Sequence, residues 1–335
     1  MSIPVVVFFN NKGGVGKTTM VYHLCWMFAE LGVRVLAVDL DPQANLTAAF
    51  LDEDRLEFLF EQAGAPRTIF GAVQPLITGT GDVGIPHIEA ITDNLSLIPG
   101  DMSLSTFEDS LSEVWPKCLG RDERAFRIMS AFWRVSQRAG ESKNANIIMI
   151  DVGPNLGAIN RAALIAADFV VIPLGADLFS LQGLRNLGPA IHQWREEWTE
   201  RLAKNTMKNL TLPKGGIKPI GYLILRHAIR LDRPVQSFEK WIARIPSTYA
   251  KEVLRQESAV GMTIESDPHC IARLKDYRSL MPMAQEARKP IFLLKPADGA
   301  LGAHMYGVTE SYKDFKRIAL RVARDSGIGE IGQSA

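Results

Sequence analysis

At 335 residues, 47 % apolar and 22 % charged, with a formal net charge of +1, the chain has the make-up of a folded globule with a large core. No apolar run approaches the ~18 residues of a membrane span, so stable membrane insertion is not expected. Cys25, Cys118 and Cys270 stand far apart without a Cys-x-x-Cys pair, which points away from zinc and dithiol chemistry and suits a cytoplasmic location.

The N-terminus runs straight into Val5-Val6-Val7-Phe8-Phe9, with no basic region or cleavage site, so no secretion signal is expected. The apolar run predicts a buried strand, and helical spacing from about Lys17 to Leu31, stopped by Gly32, predicts a helix. Between them lies Asn10-Asn11-Lys12-Gly13-Gly14-Val15-Gly16-Lys17-Thr18-Thr19. Strand, glycine-rich loop and helix are the setting of a phosphate-binding loop. Its backbone N–H groups turn inward around phosphates, Lys17 reaches the β- and γ-phosphates, and the Thr18 hydroxyl ligates Mg²⁺. Gly16-Lys17-Thr18 fits the usual G-x-x-x-x-G-K-[ST] pattern, but Asn11 stands where its first glycine belongs, and Lys12 adds a second lysine. Next, Val33 to Val38 reads as a second strand, ending in Asp39-Leu40-Asp41-Pro42-Gln43-Ala44-Asn45-Leu46-Thr47. A βαβ unit puts strand ends on one side of a parallel sheet, so Asp39 and Asp41 land beside the loop, where acids hold Mg²⁺ through water or orient an attacking water.

From Leu51 to Glu113 the chain carries 12 Asp/Glu against 2 Arg, net −10. Asp52 to Gln62 is expected to be helical, Gly79-Thr80-Gly81 a loop, and Leu95 to Ile98 a short strand. Glu89 and Asp93 read as solvated surface. Phe126, Met129, Phe132, Trp133 and Val135 make one face of a helix from Arg121 to Arg138. Asn146 to Ile150 is a further apolar strand, and Asp151 at its end would hold the Mg²⁺ shell. A strand from Pro219 to Leu225 is expected further on. From Arg201 to Arg255 there are 12 Lys/Arg against 3 Asp/Glu, net +9, which suggests a surface for a polyanion. Tyr312 to Ala323 is amphipathic and is expected to dock its apolar face on the domain, leaving Lys313, Lys316, Arg317, Arg321 and Arg324 outward.

The run Lys12 to Thr19 resembles the deviant Walker A motif of the ParA/MinD family of P-loop ATPases, in its ParA/Soj-type form. Asp39 to Thr47 is similar to the family's first switch, with Ala44 in place of a glycine. Asp151-Val152-Gly153-Pro154 resembles its second switch, with Gly153 in place of a proline, which is expected to loosen that loop. Similarity is strong over residues 3–47 and 145–184 and weak over 51–140 and 200–285. The missing cysteine pair sets the chain apart from the iron–sulfur branch.

The resemblance implies a single domain over residues 1–335, with a mostly parallel sheet of about seven or eight strands and helices on both faces. It implies that the stretch Lys12, Gly13, Gly14, Val15, Gly16, Lys17, Thr18 and Thr19 binds ATP. Thr18, Asp41 and Asp151 would hold Mg²⁺, some through water. Asp41 would position the hydrolytic water, and Lys12 would cross to the nucleotide of a partner subunit in an ATP-dependent homodimer. Arg226, after a late strand, would lie near the adenine, and Lys289 to Leu294 would form one more strand. The implied function is a slow, partner-stimulated ATPase that binds DNA non-specifically and, with a ParB-like activator, segregates or positions DNA or another cargo. It would be cytoplasmic and nucleoid-associated when ATP-bound. A MinD-like membrane-associated ATPase, a regulatory or defence-associated switch, and a metabolic ATPase of the same fold are the alternatives.

Overall fold

β1 (Val5–Phe8) is apolar at every position and fully buried, as a central strand covered on both faces must be. The computed structural model describes residues 2–60, 66–225, 235–257, 261–300, 302–329 and 331. After β1 come α1 (Lys17–Glu30), β2 (Val35–Asp39), α2 (Asn45–Phe50), α3 (Glu53–Phe60), α4 (Ile69–Thr78), β3 (Glu89–Thr92) and β4 (Leu95–Ile98). The chain continues through α5 (Phe107–Lys117), α6 (Glu123–Met129), α7 (Ala131–Ser142), β5 (Ile147–Asp151), α8 (Ala158–Ala166), β6 (Phe169–Gly175) and α9 (Leu178–Leu202). It ends with β7 (Lys218–Leu225), α10 (Val235–Ile242), α11 (Ile245–Thr248), β8 (Cys270–Leu274), α12 (Leu280–Glu286) and α13 (Ala303–Asp325).

The eight strands form one sheet in the order β3-β4-β2-β5-β1-β6-β7-β8. Among the described residues only β3 runs antiparallel to its neighbour. Successive side chains of a strand point to opposite faces, and the core divides accordingly. Val5 and Val7 pack with α4 to α9 on one face, and Val6 and Phe8 pack with α1 and α13 on the other. The expected mostly parallel sheet with helices on both faces is therefore present. β2, β5 and β1 are adjacent, so the chain segments leaving their carboxyl ends converge.

Several expectations are corrected. The helix from Arg121 to Arg138 is broken at Ser130, whose hydroxyl donates to the Phe126 carbonyl at 2.7 Å. Glu89 is buried on β3, accepting from Arg55 Nε and Nη2 at 2.9 and 2.7 Å and pairing with His87; Asp93 is exposed as expected. Ile291 to Leu293 is a short 3-10 turn in place of a strand, because the Ile291 N–H donates to His23 Nε2 (3.2 Å) and β8 takes the sheet edge. The helix expected over Asp52–Gln62 is α3, with residues 61–65 outside the described residues.

α13 docks as expected, with Phe315 stacked on His23 of α1 at a ring-centroid distance of 4.8 Å. Its outer face is less basic than its sequence suggests. Lys313 pairs with Glu310, Arg317 with Asp314, and Arg321 and Arg324 both with Asp325. The basic stretch Arg201–Arg255 is not one surface either. Arg201 is buried, donating to the Trp115 and Glu197 carbonyls. Lys204, Lys208 and Lys214 precede β7, and Lys218 opens it, so these exposed lysines lie at the amino ends of the strands, opposite the phosphate loop.

Candidate functional site

The loop between β1 and α1 is fixed from below. Asn10 is buried, its amide donates to the Pro173 carbonyl at 2.7 Å, and its Oδ1 accepts from the Lys12 N–H at 3.0 Å. Gly14 and Gly16 adopt φ of 70° and 80°, the left-handed region open to glycine at little cost. α1 starts at once, with no side-chain cap and no acid in its first turn. Its free N–H groups and positive end therefore face the mouth of the loop, the arrangement that receives a phosphate.

Lys17, Asp41 and Asp151 converge there. The Lys17 ammonium donates to the Lys12 carbonyl at 3.1 Å. Burial lowers its pKa, while Asp151 and Asp41 pull it back up. Asp151, at the end of β5, is fully buried, and neither carboxylate oxygen has a well-formed hydrogen bond; the Thr18 hydroxyl is near enough to oppose part of its pKa shift but does not meet hydrogen-bond geometry. Burial first, and then the charge of Asp39, push its carboxyl well above the ordinary range. A buried carboxylate left without a well-formed hydrogen bond fits a cation site. Among the described residues no cluster of three His, Cys, Asp or Glu would hold a metal by itself. The donor set thus fits Mg²⁺ bound by one or two carboxylates, the Thr18 hydroxyl, waters and nucleotide phosphates. The loop, Thr18, Thr19, Asp41 and Gln43 line an open cavity of about 600 Å³, together with Tyr22 and His23 of α1 and Met281 and Gln285 of α12. That volume suits a nucleotide-sized ligand.

Asp39 differs from its expected role. It lies beneath the loop, wholly buried, and its oxygens accept from Asp41 N–H (3.2 Å), Thr47 N–H (2.9 Å) and the Thr47 hydroxyl (2.7 Å). Burial raises its pKa to about 6. The second switch is also tighter than expected. The Asn160 amide donates to the carbonyls of Gly153 (2.8 Å) and Asn155 (2.6 Å), and Glu108 of α5 accepts from the Ala158 and Ile159 N–H groups at the start of α8. A Cβ at Gly153 would come within 3.3 Å of Asp41 Oδ1, so the glycine makes room for that carboxylate.

Lys12 sits on the rim. Its ammonium pairs with Asp177 of its own chain, the N-cap residue of α9, and lies 5.9 Å from the centre of the Phe179 ring. Leu156, Leu178 and Phe179 are exposed in the neighbouring segments. Arg226 lies outside the described residues. Sequence reasoning missed Asp177, Thr47 and Glu108. An Asp directly before a helical segment is an N-cap signal and was available for Asp177; nothing local marks the partners of the other two.

The chain matches the AAA domain family over residues 3–204. It is 33 % identical over 184 residues to the sporulation initiation inhibitor protein Soj of Bacillus subtilis, covering 55 % of this chain and 62 % of Soj. It is 29 % identical over 199 residues to the chromosome partitioning protein ParA of Caulobacter vibrioides, covering 59 % of this chain and 66 % of ParA. In both cases the match spans less than two thirds of the relative's own length. Among solved structures, protein DIP2308 from Corynebacterium diphtheriae superposes with a TM-score of 0.68 at 26 % identity, over 85 % of this chain and 97 % of that one. An ATP complex of a Cyanothece McdA variant superposes at 0.62 over 98 % of both chains, and its 19 % identity speaks to fold alone.

Proposed function

The chain belongs to the AAA domain family, as a ParA/Soj-type member of the deviant Walker A P-loop ATPases, and from that premise we propose that it is an ATP-dependent dimerising switch that hydrolyses ATP slowly. The observation that carries this reading is the convergence of Lys17, Asp41 and the unpartnered carboxylate of Asp151 at one helix N-terminus. The loop backbone from Lys12 to Thr19 receives the phosphates, and Lys17 places a point charge on the β- and γ-phosphates. Thr18, Asp41 and Asp151 would hold Mg²⁺, which when bound supplies charge neutralisation on the phosphate oxygens. Asp41 orients the attacking water. Lys12 leaves Asp177 and crosses to the nucleotide of a second copy, so that the dimer completes the site.

The whole chain acts as one ATPase domain, cytoplasmic and nucleoid-associated when ATP-bound. The ATP dimer binds DNA through phosphates, without reading sequence, and a ParB-like activator stimulates hydrolysis, releasing the dimer. The output is segregation or positioning of DNA or another cargo. Because the basic stretch is split between different surfaces, one chain presents few aligned cations, and dimerisation is what brings enough of them to one duplex. Sedimentation with a non-hydrolysable ATP analogue tests this. Binding is expected to need the analogue, to ignore DNA sequence, and to weaken with salt along a log–log slope of about −0.9 per phosphate neutralised. Equal binding without nucleotide, or none at low salt with the analogue, overturns the DNA reading.

A further inference from the structure

We infer that Asp39 and Thr47 form a positioning pair that sets the place of Asp41, and with it the rate of hydrolysis. The inference rests on the reading of Asp41 given above. Asp41 is held through its loop: among the described residues its carboxylate accepts one hydrogen bond, from Gln43 N–H at 3.0 Å, within the same turn. Where that carboxylate points therefore depends on what fixes the segment from residue 39 to residue 47.

Asp39 fixes it at both ends. Oδ1 accepts from the Asp41 N–H at 3.2 Å, and Oδ2 accepts from the N–H and the hydroxyl of Thr47 at 2.9 and 2.7 Å. All three groups are donors, so both oxygens of the side chain must be acceptors. A carboxylate meets that demand, and an amide, with one acceptor oxygen, does not. The Thr47 hydroxyl, having given its proton to Asp39, accepts from the Gly100 N–H at 2.7 Å, beyond the end of β4. The fit is close: a Cβ at Gly100 would lie 2.8 Å from Asp39 Cγ. A fully buried acid is costly to keep in a core. Here it ties the end of β2, the start of α2 and the turn after β4 into one unit carrying Asp41.

Thr47→Val removes the hydroxyl and keeps the shape, Thr47→Ser keeps the hydroxyl, and Asp41→Ala provides the reference. ATP affinity is read by calorimetry, and hydrolysis by single turnover with protein in excess. Thr47→Val is expected to lower the hydrolysis rate about tenfold or more while the dissociation constant for ATP stays within about twofold. Thr47→Ser is expected to recover most of the rate, and adding Thr47→Val to Asp41→Ala to lower it no further. Wild-type hydrolysis by Thr47→Val overturns the inference. So does a loss that recurs in the Asp41→Ala background or that tracks a loss of ATP affinity, since either marks a merely structural role. Wild-type hydrolysis by Asp41→Ala overturns the parent reading as well, so the two failures are distinguishable. If Thr47→Val does not fold, Thr47→Ala, which leaves space beside the Gly100 amide, is read by the same criteria.

Discussion

On the inner side of the phosphate loop, Lys17, Asp41 and Asp151 are 7 %, 7 % and 0 % exposed; the segment after Asp41 is bonded to Gly100 beyond β4, and the segment after Asp151 to Asn160 of α8. On the outer rim, the Lys12 side chain is 29 % exposed and engages Asp177 and the face of Phe179, which is itself 70 % exposed. The inner groups have nowhere else to go, because moving a buried carboxylate or ammonium away from its neighbours leaves unsatisfied charge. A partly exposed ion pair exchanges partners at a small free-energy difference. The contrast teaches a division of labour. On the proposed reading, one chain alone assembles nucleotide binding and the acid that would orient water, while the lysine five residues upstream, held in a partly exposed ion pair, would be available to a second copy.

The largest expected effect breaks the inner side. Lys17→Ala removes a buried cation between the loop carbonyl and two acids, and ATP affinity is expected to fall about 100-fold or more by calorimetry. Unchanged affinity would remove the phosphate-loop assignment. Asp41→Ala comes next. Hydrolysis is expected to fall about 100-fold with ATP affinity within a few-fold, and the ATP dimer to persist on size-exclusion chromatography. Loss of ATP affinity together with activity would make Asp41 a structural residue and erase the distinction between binding and hydrolysis on that side.

The same contrast governs what could be read from the amino acids. β1, β2 and β5 announce themselves as unbroken apolar runs because both faces of a central parallel strand are covered, and the loop and Asp151 follow by position at their carboxyl ends. Groups whose roles depend on distant partners do not. Glu89 looked like surface until Arg55, 34 residues earlier, closed over it. Thr47 and Glu108 act through Gly100 and the start of α8, 53 and 50 residues away. β8, Cys-Ile-Ala-Arg-Leu, lies at the sheet edge and carries a charge, so its pattern is weak, while the stronger apolar run at Ile291 is drawn out of the sheet by His23. Charge counted along the chain misled for a similar reason: four of the cations of α13, Lys313, Arg317, Arg321 and Arg324, are matched by acids one to four residues away, and Arg201 is inside.

On the rim, Lys12→Ala sharpens the comparison. Lys17 and the backbone cradle remain, so each chain is expected to bind ATP within about threefold of wild type, while ATP-dependent association and hydrolysis fall about tenfold. Dimerisation and hydrolysis at the wild-type level would show that Lys12 has no role across an interface.

The smallest expected effect has the opposite sign and separates the two sides most cleanly. Although burial works against ionisation, the Lys12 ammonium and the Ser180 N–H hold Asp177 below the usual carboxylate range. A depressed pKa means that the contact is complete above the ordinary Asp range and is lost only as pH falls through the lowered value. Across neutral pH Asp177 therefore keeps its hold on Lys12, and on the proposed reading it would compete with a partner's nucleotide for that lysine. Asp177→Asn keeps an oxygen to cap α9 at Ser180 N–H, 2.9 Å away, but removes the charge that retains Lys12. For a partly exposed pair the release amounts to about 0.5 kcal/mol or less per chain, about 1 kcal/mol for the two chains of a dimer. ATP-dependent association, followed by analytical ultracentrifugation, is thus expected to tighten by up to about fivefold, equally at pH 6.5 and 8, with single-chain ATP affinity unchanged. The Lys12→Ala/Asp177→Asn double variant is expected to behave as Lys12→Ala alone, because the carboxylate acts only through the lysine it holds. If Asp177→Asn weakens association, the pair belongs to the interface itself, and the rim is as firmly built as the inner side.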